Sequence, residues 1–98
     1  MYKRRKPTTP GEILLEEFLK PLGITQKALA EHIGCDVKVI NRITNERSAV
    51  TLAIAVKLAM AFETTPDFWM NAQTALDLWK MTKPKISSLI LTSAVYGV

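Results

Sequence analysis

Apolar residues recur along this chain at intervals of three and four, in five runs set apart by capping residues, prolines and glycines. Thr9-Pro10-Gly11-Glu12 opens the first run. Thr9 caps it, Pro10 sits in the first turn, and Glu12 reaches back to complete a capping box. Ile13, Leu14 and Phe18 carry this helix to about Lys20, where Pro21 is expected to stop it. Thr25 caps a second helix with Leu29, Ala30 and Ile33 on one face, and Gly34 comes at once as a left-handed exit. Asp36 caps a third, in which Ile40 and Ile43 face inward. Thr51 caps a fourth that runs to about Phe62, with Leu52, Ala55, Val56, Ala59 and Met60 expected to be buried. Thr65-Pro66-Asp67 caps a fifth, which carries Phe68, Trp69, Ala72, Leu76 and Trp79 and ends near Met81. Short loops between the runs suit a compact all-α domain.

The pattern breaks after Lys83-Pro84-Lys85. From Ile86 to Val98 the chain reads ISSLILTSAVYGV, uncharged and rich in β-branched and aliphatic residues. It predicts a short strand or extended arm from about Ile86 to Val95, which on a soluble protein needs covering. The chain therefore divides into a basic N-terminal arm at 1–8, a helical domain at 9–82 and an apolar tail at 83–98.

Length and charge narrow the function. Ninety-eight residues, 48% of them hydrophobic, make one domain with a single core. The net charge of +4 resides in Lys3, Arg4, Arg5 and Lys6, because the other basic and acidic residues cancel. Between Thr25 and Arg47, Lys27, Lys38, Arg42 and Arg47 stand against Glu31, Asp36 and Glu46, leaving one positive charge. That is low for a lone nucleic-acid module, since phosphate neutralisation supplies most non-specific affinity. Two copies acting together, helped by the basic arm, are expected instead. One cysteine excludes an internal disulfide and is compatible with a reducing cytoplasm. Pro7, Pro10 and Glu12 lie directly after the basic run, where a signal peptide needs an unbroken apolar stretch, so the run fails as one. No window approaches the roughly 18–20 apolar residues that span a membrane. A cytoplasmic protein without membrane contact is expected.

Candidate chemistry is correspondingly sparse. His32 and Cys35 stand three apart, but two ligands do not make a zinc site and the chain has no other His or Cys. Cys35 reads as an inert thiol packed beneath the turn. There is no Ser/His/Asp or Cys/His set, no phosphate-binding glycine loop, and Glu16-Glu17 looks like a charged helix face. Neither an enzyme nor a cofactor is indicated. The informative geometry runs from Thr25 to Arg47: two short helices bent sharply at Gly34, with the small Ala30 where their backbones must cross closely. This is a helix-turn-helix. On its second helix Lys38, Asn41 and Arg42 lie at i, i+3, i+4, with Asn45 beyond them, and these types read base edges or hold phosphates.

The five helices, with the turn between the second and third, resemble the λ-repressor-like (Xre) DNA-binding fold. Three segments narrow the likeness: Thr9-Pro10-Gly11-Glu12 with Leu14, then Thr51 to Ala61, and Thr65-Pro66-Asp67-Phe68-Trp69 with Asn71, Gln73 and Asp77-Leu78-Trp79. Together they resemble the HigA-type antitoxins of bacterial toxin–antitoxin modules, also described as VapI-like regulators. The resemblance implies a homodimer that binds operator DNA, represses its own operon and neutralises a HigB-like toxin, a RelE-like ribonuclease. Gln26 matches the family glutamine that meets phosphate at a helix N-terminus. Asn45-Glu46-Arg47 departs from the Asn-Gly-Lys/Arg that often closes the recognition helix.

The expected DNA-binding set is Gln26, Lys27, Asp36, Val37, Lys38, Asn41, Arg42, Asn45 and Arg47. Phe68, Trp69, Leu76 and Trp79 are the expected dimer interface, with no metal and no catalytic residue. The alternative is a plain Xre-type transcriptional repressor without a toxin partner.

Overall fold

In the computed structural model, which describes residues 5–81 and 83–89, the chain enters its first helix through the expected capping box. The Thr9 hydroxyl accepts the Glu12 N–H at 3.1 Å, and the Glu12 carboxylate accepts the Thr9 N–H at 3.2 Å. Helix α1 then runs through Pro10–Ile13 in α form, Leu14–Leu19 in π form and Lys20–Leu22 in α form again. The sequence predicts that Pro21 stops this helix; instead Pro21 lies in its last turn. A proline ring crowds the carbonyl four residues back in a regular helix, and the wider π turns precede it here. The stop comes at Gly23, left-handed at φ 66°, with the Ile24 N–H bonded to the Leu19 carbonyl at 2.9 Å.

Four further helices complete the fold, so the described residues are all-α. They are α2 at Gln26–Ile33, α3 at Val37–Thr44, α4 at Leu52–Phe62 and α5 at Pro66–Lys80. Each begins at the cap expected of it: Thr25 for α2, Asp36 for α3, Thr51 for α4 and Thr65 for α5, every side chain accepting a first-turn N–H. Gly34 ends α2 at φ 73°, and the Cys35 N–H returns to the Ala30 carbonyl at 2.9 Å. Two glutamates do the same work elsewhere. Glu46 closes α3 at φ 58°, and Glu63 closes α4 at φ 55°.

The core gathers Leu14, Leu19, Leu29, Ala30, Ile40, Ile43, Val50, Ile54, Ala55, Leu58, Ala59 and Trp69. Helix α4 turns a different face inward from the one its sequence suggested. Ala55 and Ala59 are buried as expected, together with Ile54 and Leu58. Leu52, Val56 and Met60 are instead 64%, 39% and 78% exposed. An almost uniformly apolar helix carries no periodicity to choose a face, so packing chooses it. Beyond α5, residues 83–89 form no strand, and Ile86 and Leu89 are exposed. The remainder of the expected Ile86–Val95 strand lies outside the described residues. No helix among the described residues is long and apolar enough to cross a membrane.

Two contacts hold the helix-turn-helix in place. Gln73, 6% exposed on α5, accepts the Val50 N–H at 2.9 Å and donates to Asp77 at 2.8 Å. That bond pins the segment between α3 and α4. Gly11 is buried where α1 meets the last turn of α3. A β-carbon there would overlap the Ile43 carbonyl oxygen and stand 3.0 Å from both the Ile43 carbonyl carbon and the Thr44 Cα. Backbone cannot retreat as a side chain can. Gly11→Ala should therefore lower folding stability by about 1–3 kcal/mol, as overpacked cores do. Urea unfolding at unchanged m-value would measure it, and an unaltered midpoint would show that α1 is not pressed against α3.

Candidate nucleic-acid interface

Helix α3 is amphipathic, and its two faces have separate tasks. Ile40 and Ile43 are buried, with Val39 half-buried beside them. Val37, Lys38, Asn41, Arg42 and Asn45 are exposed. Asp36 stands at the helix start, where its carboxylate accepts the Lys38 N–H at 2.8 Å. At the far end the Glu46 and Arg47 N–H groups bond to the Ile43 and Arg42 carbonyls at 3.0 and 2.7 Å. Both ends of the helix are thus closed by the protein itself.

The exposed polar residues do not stand apart from one another. Asn41 donates its side-chain amide to Gln26 on α2 at 3.3 Å, and Gln26 donates to the Thr44 hydroxyl at 3.3 Å. Thr44 in turn donates to the Asn41 carbonyl at 3.0 Å, and Asn45 donates to the Asn41 side-chain oxygen at 3.2 Å. One chain of hydrogen bonds therefore links the start of α2 to the outer face of α3. Every amide in it keeps unused capacity, because a side-chain amide offers two N–H donors and an oxygen with two lone pairs. The donor and acceptor left on Asn41 or Gln26 match the N6/N7 edge of adenine, and one donor suffices for a phosphate oxygen.

Of the sequence-predicted set, Gln26, Asn41 and Asn45 are brought into this network. Lys27, Lys38, Arg42 and Arg47 are exposed, and their side chains take no part in it. They stand as exposed cations around the amide network. Thr44 belongs to the network without having been expected there. Its place three residues after Asn41 is the available signal, although nothing local announces Gln26 as its partner across eighteen residues of sequence.

The sequence-predicted dimer set divides. Trp69 is fully buried and Leu76 is 4% exposed, so both belong to the interior of the chain and offer no surface to a second copy. The Trp69 indole N–H donates to the Thr64 hydroxyl at 2.8 Å, and its ring packs on Phe18 and Phe68 with centroids 5.5 and 5.1 Å apart. A tryptophan with its polar atom satisfied and aromatic neighbours around it is a core residue. Phe68 and Trp79, each 40% exposed, retain outward surface. Cys35 is half-buried and packs against the core, and no cluster of three His, Cys, Asp or Glu side chains occurs among the described residues.

Comparison with known proteins agrees with this geometry. The HTH_3 family model, described as helix-turn-helix, matches residues 15–69. An HTH-type transcriptional regulator of Haemophilus influenzae is 48% identical over 81 residues, covering 83% of this chain and 76% of the relative. Antitoxin HigA-1 of Vibrio cholerae is 46% identical over 76 residues, covering 78% of this chain and 71% of the relative. Among solved structures, antitoxin GraA in complex with its operator superposes with a TM-score of 0.73 at 44% identity, covering 80% of this chain and 78% of that one.

Proposed function

The chain belongs to the helix-turn-helix family that includes the HigA antitoxins, and from that premise we propose that it is a DNA-binding antitoxin. It is not an enzyme. One observation carries the reading: the Gln26–Asn41–Asn45 amide network is held open on the outer face of a helix-turn-helix in a chain 46% identical to antitoxin HigA-1. In this reading two copies bind a palindromic operator in the cytoplasm, with half-sites about one helical turn, roughly 34–36 Å, apart. Asn41 and Arg42 meet base edges, Lys38 and Asn45 flank them, and Gln26 and Lys27 hold phosphates at the start of α2. The dimer represses its own operon and neutralises a RelE-like ribonuclease toxin of the HigB type. The 44%-identical GraA structure, which contains operator DNA, supports the DNA half of this reading.

A plain repressor without a toxin is the second reading. The H. influenzae relative, named as an uncharacterized HTH-type transcriptional regulator, is compatible with it. Co-purification with the product of the adjacent reading frame, and relief of that product's toxicity on co-expression, separate the two readings. A neighbour that is neither toxic nor bound would leave only the repressor.

Asn41→Ala or Arg42→Ala should weaken binding to the duplex upstream of its own reading frame by about 1–3 kcal/mol per half-site, with stability unchanged. Gln26→Ala should weaken it too, because Gln26 fixes the Asn41 amide as well as reaching phosphate. Gel shift at fixed salt checks these expectations, and unchanged affinity in all three variants would remove α3 from the interface. Dimerisation is assigned to the outward part of α5. Trp79→Ala should shift sedimentation toward the monomer while reducing stability by less than the ~3–5 kcal/mol of a fully buried tryptophan. A wild-type chain that is monomeric at micromolar concentration would sink the dimer.

A further inference from the structure

Lys6 belongs to the N-terminal arm, forty residues before Glu46, yet its ammonium is parked against that residue just past the end of α3. Its Nζ donates to the Glu46 carboxylate at 3.0 Å and stands 6.0 Å from the centre of the Trp79 ring. The pair remains open to water, with side chains 43% and 31% exposed. Glu46 is the residue that closes α3, and it does so left-handed at φ 58°, where glycine carries no steric penalty. A carboxylate is therefore held at the end of the helix that bears Asn41 and Arg42, at some conformational cost, and it is occupied by an arm lysine.

We propose that Lys6 is a DNA backbone contact held in reserve by Glu46, whose carboxylate occupies the place of a phosphate until DNA displaces it. The inference rests on the DNA-binding reading and adds a residue to it. A carboxylate oxygen and a phosphodiester oxygen accept the same ammonium N–H, so the exchange needs no new geometry at Lys6. An ion pair this exposed is weakly held and readily exchanged. The Trp79 ring lies 6.0 Å from the ammonium, at the outer limit of a cation–π contact, and holds it only weakly. Charge explains why the device matters. The Thr25–Arg47 unit carries a single net positive charge, and Glu46 is one of its three acids. Each copy of Glu46 near the helix end opposes the DNA backbone as well as retaining Lys6.

The test is a double-mutant cycle on the full chain: wild type, Glu46→Gln, Lys6→Gln and the pair. Affinity is read by fluorescence anisotropy over a salt series, with the duplex upstream of its own reading frame and with an unrelated duplex. Thermal melts confirm that all four are folded. Glu46→Gln should tighten binding several-fold at low salt on both duplexes, leaving the ratio between them unchanged, since phosphate contacts carry no sequence information. The slope of log affinity against log salt should change little on Glu46→Gln, because the bound state has the same phosphate contacts, and should flatten by up to about 0.9 per chain on Lys6→Gln. In the Lys6→Gln background the gain from Glu46→Gln should shrink to the part owed to relieved repulsion alone. An equal gain from Glu46→Gln with and without Lys6 would mean that the carboxylate merely repels DNA, and the proposal is overturned. No effect of Glu46→Gln on intact wild-type binding overturns it as well, leaving the pair as a surface ion pair only. A wild-type chain that binds neither duplex overturns the DNA-binding reading itself, and this proposal with it.

Discussion

The close approach of α1 to the end of α3 is the constraint on which the rest of the structure depends. At Gly11 a backbone rather than a side chain meets the Ile43 carbonyl, so the end of the helix that bears Asn41 and Arg42 has no room to press further inward. Thr9 and Glu12 fix the chain just before that contact, and Thr9 is itself fully buried. The other side of α3 is held by Ile40 and Ile43 in the core, and its exit is held by Gln73 through Val50. A short helix of eight residues is marginal alone in water, so its stability must come from such packing. Position and stability of α3 have one source.

With the helix fixed, its outer side chains can be ordered without being buried. The bonds joining Gln26, Asn41, Thr44 and Asn45 lie between 3.0 and 3.3 Å, at the long end of the ordinary range, and most face water. Each contributes only modestly to folding. Their value is in limiting rotamers before any ligand arrives, which lowers the ordering cost of recognition. They also exchange easily, as the proposed contact with a base edge would require. Permanence at Gly11 and impermanence at Asn41 are complementary halves of one design.

Much of this was legible in the sequence, for definite reasons. Thr9, Thr25, Asp36, Thr51 and Thr65 each precede an apolar run with a side-chain acceptor, and each caps the helix it announces. Gly34 stands directly after its run and is left-handed. The face of α4 was not legible, because Leu52 to Phe62 has Lys57 as its only charge and is apolar all round. The π turns of α1 leave no mark that a 3.6-residue pattern can register, and they carry the helix past Pro21. Trp69 is ambiguous in sequence, and only the fold shows it fully buried, packed on Phe18 and Phe68 with its indole N–H bonded to Thr64. Gln26 and Thr44 are partners only because the turn at Gly34 folds α3 back on α2.

Two helices of this chain end on glutamate in a conformation that glycine adopts freely, at Glu46 and Glu63. Each left-handed residue of this kind costs about 1–2 kcal/mol. Small domains have only about 5–15 kcal/mol in total. Every 1.4 kcal/mol forgone raises the opened fraction of molecules about tenfold, and proteases cut the opened form. Glycine at either position would relieve that strain, so the handedness of two backbone positions at the ends of its helices is a lever on how often the chain opens to a protease.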